Sequence, residues 1–572
     1  MDYAALVDVY DRLAATDSNT EKREILAELF ASAEELLPRV VVLVRGRLSP
    51  AYDRTELGVS SALTLRAILR ASGAQEADVR DRWKETGDLG DAAAWAVETG
   101  GQQTLVSTAL TVERVQEDLR TLATFEGEGS QDRKIEILAG LLANATPNEA
   151  RYVVRTALGH MRIGVGKGTI RDAIAAAFLD GSDEAVDAVE YAYQVRTDFG
   201  EVAETARDEG RDALEAFEIE PFRPVNVMLA EKADTLEEGL TDAAADGEAL
   251  CEYKYDGIRI QIHVAGDEVR LFTRRLEDVT EQFPDVVAAV QAGVTAERAV
   301  LDGEVVGYEP ETITSDERAP VAFQDLSRRI KRESDVDRLA RTVPVVVHLF
   351  DCLATDETVL DAPLSGRLNR LDSTFDPTEP ASDDLRAGLE RARIRRVAID
   401  DSGPAESLYR DALDSGHEGL VIKNPAAAYQ PGRRVGRFLK VKPTMEPLDV
   451  VVTRATYSEG RRSEWLGRLY IACYDPETEE FREVGRLSTG YTDEELDAIT
   501  ERLEPLITAH DGRDVDVRPE VVLSVEYEEI QASPKYDSGY ALRFPRFRAV
   551  RDDLAPTEAD TVDRVGELFD AD

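Results

Sequence analysis

Lys254-Tyr255-Asp256-Gly257-Ile258-Arg259-Ile260-Gln261-Ile262-His263-Val264 is the stretch on which the reading of this chain turns. Beyond Gly257, Ile258, Ile260, Ile262 and Val264 alternate with Arg259, Gln261 and His263, the two-residue period of a strand. A Gly266-Asp267 turn and the run Val269-Arg270-Leu271-Phe272 complete a hairpin. Lys254 stands just before it. The chain carries 68 Lys and Arg against 114 Asp and Glu, and most of its bases are arginine. Yet Lys254, Lys423, Lys440 and Lys442 gather among strand-like segments. Arginine keeps its proton near neutral pH, whereas burial or positive neighbours can depress a lysine, so only lysine can attack phosphorus through nitrogen. Lys254 is the candidate nucleophile.

On the N-terminal side the period changes. Leu6, Val9, Tyr10 and Leu13, then Ile25, Leu26, Leu29 and Phe30, then Ile135, Leu138, Leu141 and Leu142 recur at helical spacing. This predicts a mostly α region, broken by Glu220-Pro221-Phe222-Arg223-Pro224. Strands are expected at Ala299–Val306, Val343–Leu349, Gly419–Ile422 and Arg437–Val441, giving an α+β region around Lys254. After Pro443, strands at Asp449–Ala455, Leu466–Tyr474, Arg482–Leu487 and Val521–Ile530 suit a small β-barrel of the OB type. The expected domains are 1–218 (all-α), 219–443 (α+β) and 444–572 (OB fold). The acidic end, Leu568 to Asp572, is expected to fray.

A formal charge of -46 with 32% charged residues would suit disorder, but 43% apolar content and clear periodicity indicate folded domains with acidic surfaces. Such acidity, with arginine in place of lysine, predicts a protein kept soluble in concentrated salt, where self-repulsion is screened within about 3 Å at 1 M. Cys251, Cys352 and Cys473 lie far apart without a Cys-x-x-Cys pair, which argues against a disulfide framework or a four-cysteine zinc site. The start lacks a basic leader, and no apolar run approaches the roughly 20 residues of a membrane span. A soluble cytoplasmic protein with no membrane partner is expected.

Downstream of Lys254 stand Leu301-Asp302-Gly303-Glu304-Val305-Val306, Leu349-Phe350-Asp351, Glu418-Gly419-Leu420-Val421-Ile422-Lys423 and Phe438-Leu439-Lys440-Val441-Lys442. Their order resembles the signature set of the covalent nucleotidyltransferases: DNA ligases, RNA ligases and capping enzymes. Arg162-Ile163-Gly164-Val165, Val225-Asn226-Val227-Met228-Leu229-Ala230 and Leu542-Arg543-Phe544-Pro545-Arg546-Phe547 extend the likeness over nearly the whole chain. The match is closest to archaeal and eukaryotic-type ATP-dependent DNA ligases.

That resemblance implies ATP and a divalent cation such as Mg²⁺ as cofactors, and nicked double-stranded DNA as partner. The helical region would bind DNA, the middle region would be adenylated, and the protein would work as a monomer. Lys254 would attack the α-phosphate of ATP. Glu252, Arg259, Arg274, Glu304, Phe350, Arg434, Lys440 and Lys442 would bind the nucleotide. Arg259 would face phosphates, Phe350 would stack on adenine, and Lys423, Lys440 and Lys442 would neutralise phosphate charge. Glu304 and Glu418 would serve the metal. Gln102-Gln103-Thr104-Leu105-Val106 resembles a short sliding-clamp-binding motif.

Two departures stand out. Phe438 replaces a frequent tryptophan, and the final motif reads Arg551-Asp552-Asp553-Leu554 where the family often has Asp-Lys. Arg546, Arg548 and Arg551 are therefore the candidates for the leaving pyrophosphate. Gly164-Val165-Gly166-Lys167-Gly168-Thr169 imitates a phosphate loop but has Met161 where the leading glycine belongs, in a helical context. A DNA-backbone role, with Arg151, Arg155, Arg162 and Arg171, suits it better. Against the overall acidity, Arg461-Arg462 and Arg543 to Arg551 would supply a local positive track. An NAD-dependent ligase is disfavoured by the missing cysteines. An RNA ligase or capping enzyme, or a non-catalytic OB-fold nucleic-acid-binding protein, are the alternatives.

Overall fold

A computed structural model describes the chain except residues 51, 54–56, 101–107, 128, 316, 331–333, 382–385, 444, 459–461, 463 and 572, and the side chains of residues 435, 570 and 571. It divides into two compact units, Met1–Lys442 and Pro443–Asp572.

The first unit opens with helices from Tyr3–Ala14 to Arg211–Glu215. Local signals start them: Thr146 and Glu149 form a capping box with Pro147 in the first turn, and Ser18, Ser60 and Ser182 cap others. The apolar stripes meet in one core that includes Leu6, Tyr10, Leu26, Phe30, Leu138 and Val153. Helix Lys167–Phe178 begins inside the imitation phosphate loop, after a turn with left-handed Arg162 and Gly164. Helix, not strand, surrounds it.

Ten strands follow: β1 (Leu229–Lys232), β2 (Glu248–Tyr253), β3 (Ile258–Ala265), β4 (Glu268–Thr273), β5 (Arg298–Gly307), β6 (Val345–Ala354), β7 (Gly388–Arg391), β8 (Ile394–Ala398), β9 (Leu420–Lys423) and β10 (Arg434–Val441). They make two five-stranded sheets, in the orders β1-β10-β9-β2-β8 and β4-β3-β5-β6-β7. The expected hairpin is β3–β4, with Val264 opposite Val269. β2 lies in one sheet and β3 in the other, so Lys254 to Gly257 is the crossing between them.

On the polar face of β3, Gln261 and His263 do not meet solvent. His263 Nδ1 accepts the Phe222 N–H at 3.0 Å, and Gln261 both accepts from Val225 N–H and donates to its carbonyl, at 2.9 and 2.8 Å. The proline-marked segment is thereby fastened onto the sheet. Strand alternation marked two faces but could not show that both would be covered.

The second unit contains β11 (Leu448–Thr456), β12 (Arg468–Asp475), β13 (Glu480–Leu487), β14 (Ile507–Asp511), β15 (Asp514–Val517), β16 (Val522–Glu526), β17 (Glu529–Ala532), β18 (Tyr540–Arg543) and β19 (Arg546–Val550). Seven pair in one sheet, while β17 and β18 form a separate hairpin. The single strand expected over Val521–Ile530 is thus two, in different sheets. Of the expected frayed end, residues 568–571 instead close helix Val562–Ala571, with Leu568 and Phe569 packed on the barrel core, and Asp572 lies outside the described residues. Among the described residues no helix is long and apolar enough to cross a membrane.

Burial keeps His263 and His348 uncharged, with pKa values lowered to about 3, and His417 to about 4. The unfolded chain binds protons at these positions near pH 6.5, so their stability contribution is present above that pH and is lost as pH falls below it. Denaturation at constant salt should show stability declining between pH 6.5 and 5, at up to about 1.4 kcal/mol per pH unit per histidine. A flat profile across that window would contradict neutral burial.

Candidate active site

Lys254 leaves β2 where the chain crosses between sheets. Its N–H donates to the Gly419 carbonyl and its carbonyl accepts from Glu418 N–H, both at 2.9 Å. These bonds continue the β2–β9 ladder and set Lys254 opposite Glu418. Lys254 Nζ contacts Glu418 Oε2, and Lys442 Nζ lies 3.1 Å from Oε1, so one carboxylate holds two ammonium groups. Burial works to raise the Glu418 pKa, but Lys254 and Lys442 prevail and hold it below the usual range.

Gly257 makes the crossing possible. A Cβ there would stand 2.4 Å from the Val305 carbonyl oxygen and 2.9 Å from Glu304 Cγ. The close approach brings Glu304, on β5, against the Lys254 segment. Burial pushes the Glu304 carboxyl up to about 8; Lys254 and Arg259 pull it down, while Glu418 and Asp302 push it further up.

Arg259 is bound on several sides. Its Nε and Nη2 donate to Asp302 at 3.0 and 2.5 Å, and Nη1 donates to the Met228 carbonyl at 2.7 Å. The Tyr429 hydroxyl donates to Asp302 at 3.0 Å and accepts the Met228 N–H at 3.0 Å. Asp302 is fully buried, so this arginine is what makes its charge tolerable. The guanidinium also lies 5.3 Å from the Phe350 ring centre. Asp302 stood within the quoted Leu301–Val306 motif without a role. Its signal was a carboxylate two residues before Glu304 in a strand-like run, where burial demands a cation. Tyr429 gave no local signal.

Glu252 and Lys423 form a second buried pair, across β2 and β9, through Glu252 Oε1. Oε2 has no hydrogen-bond partner. Lys423 Nζ lies 4.7 Å from the Phe350 ring centre and 5.5 Å from that of Phe438. Burial, offset by Lys423, raises the Glu252 pKa. Phe350 is half-buried on β6, so a buried acceptor, a cation and an aromatic face converge here.

Arg274, just beyond β4, and Arg434, which opens β10, are exposed. Burial, Arg259 and Arg434 all lower the Arg274 pKa, while Glu304 raises it, so these four groups share one electrostatic neighbourhood. Lys440 is half-buried on β10. Behind Lys254, the Tyr255 ring stacks on His348 at 4.1 Å and meets His417 edge-on at 4.8 Å. This packing backs the two segments that present Lys254 and Glu418.

Other expected cations are differently placed. Arg151 and Arg155 pair with Asp91, Arg155 and Arg162 with Asp88, and Arg171 with Asp172 and Glu190. They are not a free track for a DNA backbone. Arg462 pairs with Asp493, and Arg461 lies outside the described residues, as does the clamp-like segment 102–106. In the final motif, Arg551 is held by Asp449 and Asp553, Arg543 by Glu529, and Arg548 approaches Glu526 at 3.8 Å. Arg546 is exposed and has no ion pair among the described residues.

Comparison with known proteins agrees with this layout. Residues 2–175 match the family "DNA ligase N terminus", 227–442 "ATP dependent DNA ligase domain" and 462–554 "ATP dependent DNA ligase C terminal region". The DNA ligase of Thermococcus fumicolans is 40% identical over 571 residues, covering 100% of this chain and 98% of that protein. The DNA ligase of Halobacterium salinarum is 43% identical over 572 residues, covering 97% of each. A solved structure titled Pmar-Lig_PreS3 shares the fold, with a TM-score of 0.58 and 16% identity over 96% of this chain and 99% of that one.

A helical N-terminal region, an α+β ligase domain and a β-rich OB-like region together define an ATP-using ligase. The chain belongs to the ATP-dependent DNA ligases of archaeal type. That sets aside the RNA-ligase, capping-enzyme and non-catalytic readings. The relatives span halophilic and thermophilic archaea, so likeness alone does not select a salt environment.

The raised Glu304 pKa yields a direct check. The folded state holds a proton that the unfolded state has released above pH ~4.5, so this group's cost appears as pH rises through that value and is complete above about pH 8. Without nucleotide, Glu304→Gln should therefore be more stable than wild type at pH 8.5, by on the order of 2–4 kcal/mol, and equal to it at pH 4.5. Parallel pH profiles in thermal or denaturant unfolding would rule out a strained Glu304.

Proposed function

We propose that this ligase forms a covalent AMP adduct on Lys254 and seals 5′-phosphate/3′-hydroxyl nicks in duplex DNA. The observation that carries the reading is the position of Lys254 at the sheet crossing, held by Glu418, with Glu304 and the Glu252–Phe350–Lys423 recess nearby. In the first step, unprotonated Lys254 Nζ bonds to the α-phosphorus, the α–β P–O bond breaks, pyrophosphate leaves with its electrons, and the nitrogen gives up one proton to solvent. Lys254 must first leave its contact with Glu418 to reach the phosphorus. AMP then passes to the 5′-phosphate of the nick, freeing the lysine. Attack by the 3′-hydroxyl forms the phosphodiester and expels AMP.

The unpartnered Glu252 Oε2 suits the exocyclic amine of adenine, which can donate to it, and Phe350 supplies the stacking face. Arg259 acts mainly as a brace, its donors being given to Asp302 and Met228. Arg274 and Arg434 remain exposed for phosphate, joined by Lys440 and Lys442 once Lys442 is released from Glu418.

A divalent cation fits the donor set. Among the described residues no group of three or more His, Cys, Asp or Glu could hold a metal. Mg²⁺ commonly takes only one or two carboxylates and completes its shell with phosphate and water, so Glu304 and Glu418 suffice. Bound there, it would neutralise phosphate oxygens. In this reading 1–218, 219–443 and 444–572 are the DNA-binding, adenylation and OB domains of a cytoplasmic monomer, and Gln102–Val106 is the clamp-docking segment.

Lys254→Arg keeps the charge but loses the nucleophilic lone pair. Incubated with ATP and Mg²⁺, wild type should gain the mass of one AMP and Lys254→Arg none, with an unchanged melting temperature. On a pre-adenylated nick the variant should still seal. Labelling of the folded variant by ATP would remove Lys254 from this role.

A further inference from the structure

Apart from Arg133, every other described arginine of the helical region is in an ion pair, while Arg45 and Arg47 have none among the described residues. In a chain with 114 acidic residues this is not for want of partners. The two follow helix Leu37–Val44, with only Gly46 between them. They share one shallow notch with Ser49, Tyr193 and Thr197. Arg45 is half-buried and Arg47 is exposed at the rim.

Two unpaired guanidiniums side by side repel each other, and partial burial removes water from one of them. Burial is the largest influence against the charge on Arg45; Tyr193 opposes it, and Arg47 adds a smaller push in the same direction as burial. An arrangement that disfavours its own cations in the free protein is relieved when an anion enters. The notch also adjoins the Arg162–Lys167 turn, because Lys167 Nζ lies 5.2 Å from the Tyr193 ring centre. Tyr193 itself is stacked on Phe199 with centroids 3.7 Å apart, which fixes the wall. The acids that act on Tyr193, Glu190 and Asp198, are otherwise engaged: Glu190 with Arg171, and Asp198 with the Gly200 and Glu201 N–H groups.

We propose that Arg45 and Arg47 form a phosphate site for the DNA backbone, anchoring the helical region to the duplex while Arg151, Arg155, Arg162 and Arg171 are held by acids. The paired guanidinium forks match a phosphodiester, and the open rim admits a continuous strand rather than enclosing a small anion. This rests on the nicked-duplex reading above, yet it is tested apart from Lys254.

The experiment measures binding of a fluorescent nicked duplex by anisotropy across salt, with self-adenylation by ATP as a separate readout. Arg45→Gln/Arg47→Gln should weaken binding about tenfold or more at the lowest salt, and make the slope of log K against log[salt] shallower by one to two ions. The adenylation rate should stay at the wild-type value, and sealing should recover at saturating DNA. Arg45→Lys/Arg47→Lys should keep the salt slope, and Arg133→Gln should bind as wild type. Inorganic phosphate should compete no better than chloride at matched ionic strength. Wild-type affinity and slope in the glutamine variant would overturn the site. So would a loss matched by the lysine variant, which would mean a structural role, or selective competition by phosphate, which would mean a small-anion site. Failure of wild type to adenylate would instead refute the catalytic reading.

Discussion

The structure depends on one crossing. Four residues, Lys254 to Gly257, carry the chain from the sheet containing β2 to the sheet containing β3. They do so with the Gly257 backbone pressed against Val305. Because any side chain at 257 would collide with a main-chain carbonyl, the crossing has essentially one path. That path fixes Lys254 between Glu418 from one sheet and Glu304 from the other. The flanking Tyr255 is held by His348 and His417, so the same segment is packed from behind.

In the α+β region, charge is handled by pairing it where it is buried. Arg259 neutralises Asp302, Lys423 neutralises Glu252, Arg329 neutralises Asp285 and Arg367 neutralises Asp351. A pair broken on one side would leave an uncompensated ion, a loss of about 3–5 kcal/mol. Against this rule the exceptions gain meaning. Glu252 Oε2 is buried with no partner, and Glu304 is forced toward its protonated form. Both lie where the nucleotide is expected. In the helical region, Arg45 and Arg47 have no ion pair among the described residues, one half-buried and the other exposed.

Much of this was legible in the sequence because the chemistry is carried by short ordered runs. The Lys254 stretch gave the β3–β4 hairpin, and strand period gave the neighbourhoods of β5, β6, β9 and β10. Helical period gave the first region. The harder features are those set by distant partners. That Gln261 and His263 clasp Val225 and Phe222 could not be read from alternation, because a polar face looks the same whether water or backbone satisfies it. The division of Val521–Ile530 between two sheets was likewise invisible to composition. Arg259 was seen as a phosphate ligand, yet its donors turn inward to Asp302, a partner 43 positions away. The basic cluster of the imitation phosphate loop was legible as arginine, but its pairing with Asp88 and Asp91 was not.

The central claim is that the geometry of the crossing singles out Lys254 among the clustered lysines as nucleophile. The direct measurement is tandem mass spectrometry of the ATP-treated protein, digested under conditions that preserve the acid-labile phosphoramidate. The account predicts AMP on Lys254, with Lys423, Lys440 and Lys442 unmodified. AMP found on any of those three, with Lys254 bare, would contradict it.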